Sequence, residues 1–597
     1  MKIIFIFLII FLNSFKSANS EDKDIILIPK NPNVTEEGYS EEKNSENNTS
    51  ISSETIEVNE LKIDGNDEIS IFNSESLNVT SINEANAYSD FDNAWINSNQ
   101  KSINFLFNNL NNNIKSNAIK SSLVDVLYHG SKVPDGMANA EFDKKRILKL
   151  QQLGEVEKAI NLISSISTYD ANKDIYDKTI LEKSLVDYNL AAVCGVLDSN
   201  SEFKTDSYLI KVKVFCSYLN GEEEEADFFN SLLLEENDDD YFQALYNKLI
   251  KIDNNLRSIE DYNYDQESLT LYSAIMRSEN LPFSDDFIEI QSPQLLKSIA
   301  ISPVTDISVR LKAAEKAYNL GSLNSDSIAA LYQSVDFSIE ELKNPLNSIK
   351  KKYINDNQKA MALLFQSSRI QILPISRLEA LNNFWEYANQ NNQSKLAYHL
   401  SKELLKSIQP TSELIDFAIN TSKAHLYNNN IEEAKNWLKL IQARNNTSDQ
   451  TFNNDYLQLV FLMSIHEGNF NIEDELYDNF LNSLNFENED INNLELYLTT
   501  LEFIGFTIPD DLWQITSKKI NDDRKVPSIY IMKLLEKSAN NNSIGELFLC
   551  IAVSIEENSW LEIHPQHLNI IFDNLKKVGK EEIINQITLE ILEDMSS

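Results

Sequence analysis

Only 12 of the 597 residues are glycine and 12 are proline, where averages of roughly 7% and 5% are usual. A chain this poor in both lacks the turn residues with φ > 0 that hairpin-rich β architectures need. It also lacks the glycine loops that cradle nucleotide phosphates. The α-helix is the element whose interior rejects both residues, so the scarcity points to helices. The apolar spacing agrees. Val156, Ala159, Ile160, Ile163 and Ile166 recur at intervals of three and four, as do Ile431, Ala434, Trp437, Leu438 and Ile441. Such spacing places the side chains on one helical stripe. Strand-like alternation is rare from residue 89 onward.

Several of the few glycines fall in a recurrent local motif. It is written most clearly as Leu153-Gly154-Glu155-Val156-Glu157-Lys158-Ala159 and as Asn429-Asn430-Ile431-Glu432-Glu433-Ala434. Weaker copies span Gly221 to Ala226 and Gly579 to Ile584. Gly or Asn would supply the left-handed residue that ends one helix. The acids would sit at the positive N-terminus of the next, and the small Ala would let the pair approach closely. This resembles the turn of tetratricopeptide-type repeats, in irregular copies. Pro345, Pro374 and Pro410 are spaced compatibly with stops between helix pairs. The expected fold is therefore all-α: a solenoid of TPR-like α-α hairpins, roughly 11 to 15 of them at about 34–45 residues each. A linker-like stretch from Leu281 to Pro293 would divide it into lobes at 89–290 and 291–597.

The N-terminus reads as an export signal over residues 1–20. Lys2 precedes the apolar run Ile3 to Leu12, and Ala18-Asn19-Ser20 offers small residues for cleavage. The run is too short to span a bilayer, which takes about 20 residues. No later segment reaches 18 consecutive apolar residues, so no transmembrane segment is expected in the mature chain. Residues 21–88 form an acidic Asn/Ser-rich stretch with the composition of a disordered tether. Within it, Asp64-Gly65 is a candidate hairpin turn. The net charge is -40, which excludes nucleic acid as a partner and favours basic protein surfaces. Removal of residues 1–20 would take away Lys2 and Lys16 and no acid, giving -42.

Candidate chemistry is sparse. In an exported chain Cys194 and Cys216 are a possible disulfide, while helix ends in an antiparallel pair could hold them about 10 Å apart, beyond bonding range. Cys550 lies in the apolar run LFLCIAV and reads as a buried thiol. His564 and His567 are the one close histidine pair, with no third ligand in view. The acid runs Glu222–Glu225 and Glu235, Glu236, Asp238, Asp239, Asp240 lack EF-hand spacing and read as helix starts. Gly130 and Gly136 do not make a phosphate loop, and no nucleophile elbow occurs. Periplasmic lytic transglycosylases also carry a large helical superhelix, but their catalytic Glu-Ser and Gly-Leu-Met-Gln-like segments are missing from the last 150 residues. Trp385 and Trp437 lie in apolar stripes and read as core. No catalytic residue, metal or cofactor is assigned.

Two stretches resemble a poorly characterised family of exported alphaproteobacterial helical-repeat proteins often labelled antifreeze-protein-like. They are RLKAAEKAYNLGSLNSDSIAALYQSVDFSIEELKNP, from Arg310 to Pro345, and KAMALLFQSSRIQILPISRLEALNNFWE, from Lys359 to Glu386. Phe142 to Ala159 and the Cys194–Cys216 region are similar to it as well. The resemblance implies a helical-repeat protein of the envelope with no catalytic residues to carry over, in the periplasm of a Gram-negative bacterium. Ala/Thr tripeptide repeats and flat Thr ladders are missing, so the antifreeze label implies no function here. The expectation is a non-enzymatic scaffold or adaptor that binds a protein, a peptide or an envelope component. The alternatives are an enzyme or accessory factor of cell-wall or polysaccharide metabolism, and a self-assembling structural protein.

Overall fold

The computed structural model describes residues 63–64, 68–69, 91, 93–167, 169–198, 206–234, 239–252, 256–351, 356–442, 450–468, 491–517 and 524–596. The chain divides into two units, Met1–Asn59 and Glu60–Ser597, and the described residues all belong to the second. The export signal lies outside them, as does most of the acidic stretch 21–88. Apart from one two-stranded ladder, the described elements are α-helices and short 3-10 turns. The ladder pairs Ile63–Asp64 with Glu68–Ile69, antiparallel, with Ile63 opposite Ile69. It lies within the stretch 21–88, on either side of residues 65–67.

The recurrent turn has a single geometry. Helix Asn139–Gln152 ends at Gly154 with φ of 91°. There Gly154 N donates to Gln151 O and Glu155 N donates to Leu150 O. This is the Schellman arrangement, which satisfies carbonyls the helix leaves over. A side chain at Gly154 would be strained by the backbone alone. Gly221, Asn429 and Gly579 take the same left-handed conformation with the same two hydrogen bonds. The fifth residue after the turn is then buried: Ala159, Ala226, Ala434 and Ile584. The structure adds copies the sequence disguises. Tyr188, Asn392 and Asn542 are also left-handed, each followed at the fifth position by a buried residue, Val193, Ala397 and Leu547. At Tyr188 a bulky residue is held by Arg277, whose guanidinium lies 4.4 Å from the ring centroid and donates to Val186 O. Prolines mark the opposite ends: Pro293, Pro345, Pro374 and Pro565 each open a helix, where a missing N–H costs nothing.

One buried cluster runs from Leu181 to Met463 and passes through residues 287–296 without a break. Side chains also tie across residue 290. Gln294 Nε2 donates to Gln151 O at 2.7 Å, and Lys120 donates to Leu320 O. A second cluster joins Ala94–Tyr176 to Leu496–Ile591. This departs from an open repeat array, in which each repeat touches only its neighbours in sequence. The joint is specific. Gly545 N donates to Ala94 O at 2.7 Å, and Ser543 Oγ donates to Ile96 O at 2.6 Å. The Glu590 carboxylate accepts from Ser116 Oγ, Ala118 N and Trp560 Nε1. It thereby caps helix Asn117–His129 from a distant part of the chain, favoured by the helix dipole. Trp95, fully buried, donates to Val126 O and fits between Gly130 and Gly545.

Cys194 and Cys216 are disulfide-bonded, with Cα atoms 5.6 Å apart. Cys194 lies in the middle of helix Leu190–Asp198 and Cys216 in helix Ser207–Leu219. With Cys194 in mid-helix, away from the helix end, the expected 10 Å offset does not arise. Among the described residues no helix is long and apolar enough to cross a membrane.

Candidate functional site

A polar concavity lies where three helical starts converge. Asp206 opens helix Ser207–Leu219 by accepting from Leu209 N, and Asp239 opens helix Asp240–Leu249 by accepting from Phe242 N. Asp265 opens the 3-10 turn Gln266–Ser268 by accepting from Glu267 N. Aspartate suits such positions because its oxygens take up N–H groups the helix leaves unpaired. Together with Lys178, Tyr208, Lys211, Glu267, Leu233, Leu234 and Phe242 they line a cleft of about 440 Å³.

Lys211 is the centre of the arrangement. It is 3% exposed, and a buried ammonium is tolerated only when paired. It donates to Asp265 Oδ2 at 2.9 Å and to Ser268 Oγ at 3.1 Å, and its Nζ lies 2.5 Å from Asp239 Oδ2 in a second ion pair. Tyr272 Oη adds a 2.6 Å bond to Asp239. Burial would raise the Asp265 carboxyl, but the hydrogen bonds from Lys211 and Ser268 and the Lys211 charge hold it below its ordinary value. The groups nearer the mouth are less committed. Lys178 lies 2.5 Å from Asp206 and 3.8 Å from Glu267, whose side chain is 74% exposed. Leu234 beside it is half-exposed.

A second carboxylate environment adjoins the cleft. Glu182 keeps a little solvent access and accepts from Gln151 Nε2. Burial, reinforced by the Glu267 charge and opposed by Lys178, pushes its carboxyl up to about 8. The Tyr208 hydroxyl is raised well above its usual range by burial and by the nearby Glu182 charge. Among buried side chains, Tyr208 Oη and Thr270 Oγ1 are left without a well-formed hydrogen bond.

The sequence had singled out none of this cluster except Asp239, read as part of an acid run. The legible signal was Lys211 itself, a lysine in the otherwise apolar run Tyr208-Leu209-Ile210-Lys211-Val212. The residues it did flag go elsewhere. Glu223, Glu224 and Glu225 occupy the first turn of helix Glu223–Leu234, and Glu235, Glu236 and Asp238 lie outside the described residues. His564 and His567 do not converge. His564 Nδ1 caps its helix by accepting from Gln566 N, while His567 is buried against Ser554 Oγ and pushed down to about 4 by burial and by the His564 charge. Cys550 is buried and free. Trp385 donates to Ser401 Oγ within the core, and Trp437 is fully buried.

No protein-family model matches the chain, and no curated protein or solved structure is significantly similar to it.

Proposed function

We propose that the chain is an exported, TPR-like helical-repeat scaffold of the bacterial envelope that captures a basic, partly apolar segment of a protein or peptide partner. The observation that supports this is the mouth of the cleft. Glu267 and Asp206 stand beside the half-exposed Leu234, while the inner lysine is already paired. A Lys or Arg side chain entering there would meet carboxylates paired so far with Lys178, and an apolar neighbour would cover Leu234. The sequence linking the lining residues Leu234 and Asp239 adds Glu235, Glu236 and Asp238, further favouring a cationic partner. The test is calorimetric titration of the full chain with Lys/Leu and Glu/Leu peptides of equal length. Preferential binding of the basic peptide, weakened by salt and by E267Q with L234S at least tenfold, is the expected result. Equal or no binding of the two peptides would sink the reading.

The second reading, an enzyme acting on polysaccharide or cell-wall fragments, draws on one observation. Burial and the neighbouring Glu267 charge push the Glu182 carboxyl up to about 8, the direction a general acid needs. Turnover of such fragments by the wild type, abolished by E182Q, would establish it in place of the first.

A further inference from the structure

The most exposed apolar residues of the described chain include a cluster in one short connection. Helix Asn357–Arg369 ends and helix Pro374–Gln390 begins through Ile370-Gln371-Ile372-Leu373. Ile372 is 87% exposed and Leu373 63%, with Ile370 and Ile375 half-exposed beside them. Solvent-facing apolar residues are common singly; four together at a loop tip are not. The tip is also held in place. Arg377 donates from Nε and Nη2 to Gln371 O, at 3.0 and 2.7 Å, and from Nη1 to Ser407 Oγ at 3.0 Å. One guanidinium therefore locks the tip against the neighbouring segment that carries Lys402 and Lys406.

The local charge is opposite to that of the chain. Residues 369–377 and 402–409 contain Arg369, Arg377, Lys402 and Lys406 against the single acid Glu403, although the chain as a whole carries -40. Glu403 is itself paired with Lys406 at 2.6 Å. Lys402 and Lys406 also form the edge of a cleft of about 220 Å³ that reaches the buried His425, whose Nε2 has no hydrogen-bond partner. A rigid apolar tip flanked by cations is the pairing that fits the boundary between acyl chains and acidic headgroups. Glu433 also lines that cleft, and screening over about 8 Å at physiological salt weakens the effect of acids farther away.

We infer that the 370–375 tip inserts into the surface of a bilayer containing anionic phospholipid, with Lys402 and Lys406 on the headgroups. The test uses the full chain carrying I372W, titrated with phosphatidylcholine vesicles with and without about a third phosphatidylglycerol. A blue shift of the added indole with the anionic vesicles, quenched by brominated acyl chains, is expected. L373S, or K402Q with K406Q, in the same background should raise the lipid concentration needed at least tenfold while far-UV circular dichroism stays unchanged. The inference is overturned if the indole stays unshifted, even where the chain sediments with vesicles through its apolar N-terminal run. An equal shift with neutral vesicles, or a shift produced by a soluble protein partner and not by lipid, would overturn it too.

Discussion

Replacing Gly545 by Ala should loosen the joint between the first and last helices. A Cβ at this position would lie 2.6–2.8 Å from three ring carbons of Trp95, closer than carbon atoms approach without movement. Trp95 cannot retreat. It is fully buried, packs edge-on against Phe142 at 5.2 Å, and faces Gly130 on its other side, where an added Cβ would lie 2.3 Å from Nε1. Overpacking of this kind costs about 1–3 kcal/mol. The ring contributes more than that. A fully buried Trp removes roughly 150–250 Å² from water, worth about 4–6 kcal/mol at ~25 cal/mol/Å², so Trp95→Ala should cost about 3–5 kcal/mol. A chain of this length need not unfold in one step, so the assay is local: hydrogen exchange of helices Gln100–Asn109 and Ile544–Ile555, read by mass spectrometry. G545A should speed exchange in both helices together. In a W95L background, where the ring is gone, the same change should cost close to nothing, a coupling of about 1–3 kcal/mol. Gly195→Ala is the control, because its added Cβ meets nothing within 4 Å and a helical Ala should stabilise by about 0.5–1 kcal/mol. Additive costs of G545A and W95L, or acceleration in only one of the two helices, would refute the wedge.

Three further outcomes are expected. Reducing the Cys194–Cys216 bridge, which closes a separation of 22 residues, should lower stability by about 3 kcal/mol; a C194S/C216S variant should melt lower and show no further change with reductant. Glu590→Ala removes the acceptor of three hydrogen bonds, one at a helix N-terminus, and should cost about 2–3 kcal/mol, with exchange rising first at the start of helix Asn117–His129. Glu182 has a folded value raised from 4.5 to about 8, so the unfolded chain releases the proton first as pH rises. Its contribution to stability is complete below pH 4.5 and is lost on the way up to about 8. Thermal melts of E182Q should therefore fall less than those of wild type across that window, and parallel curves would count against the assignment.

The sequence by itself determined the local rules. Helix is what remains when glycine and proline are scarce, and the Gly154, Gly221, Asn429 and Gly579 turns were readable because a left-handed backbone selects Gly or Asn and the following acids suit a helix start. Those rules act over one or two turns of chain, so they leave a trace in consecutive residues. The Tyr188 turn escaped reading because Arg277, nearly ninety residues later, holds it. The same limit applies to the candidate site. Asp239 could be recognised as a helix opener, but its meeting with Lys211, Asp265 and Tyr272 depends on how three helix starts pack. Only the tertiary structure decided that Ala94–Tyr176 shares a core with Leu496–Ile591. Trp95 reads in sequence as one more apolar residue, and Gly545 as a lone helix glycine. What joins them is steric fit between surfaces some 450 residues apart, and no local preference encodes that.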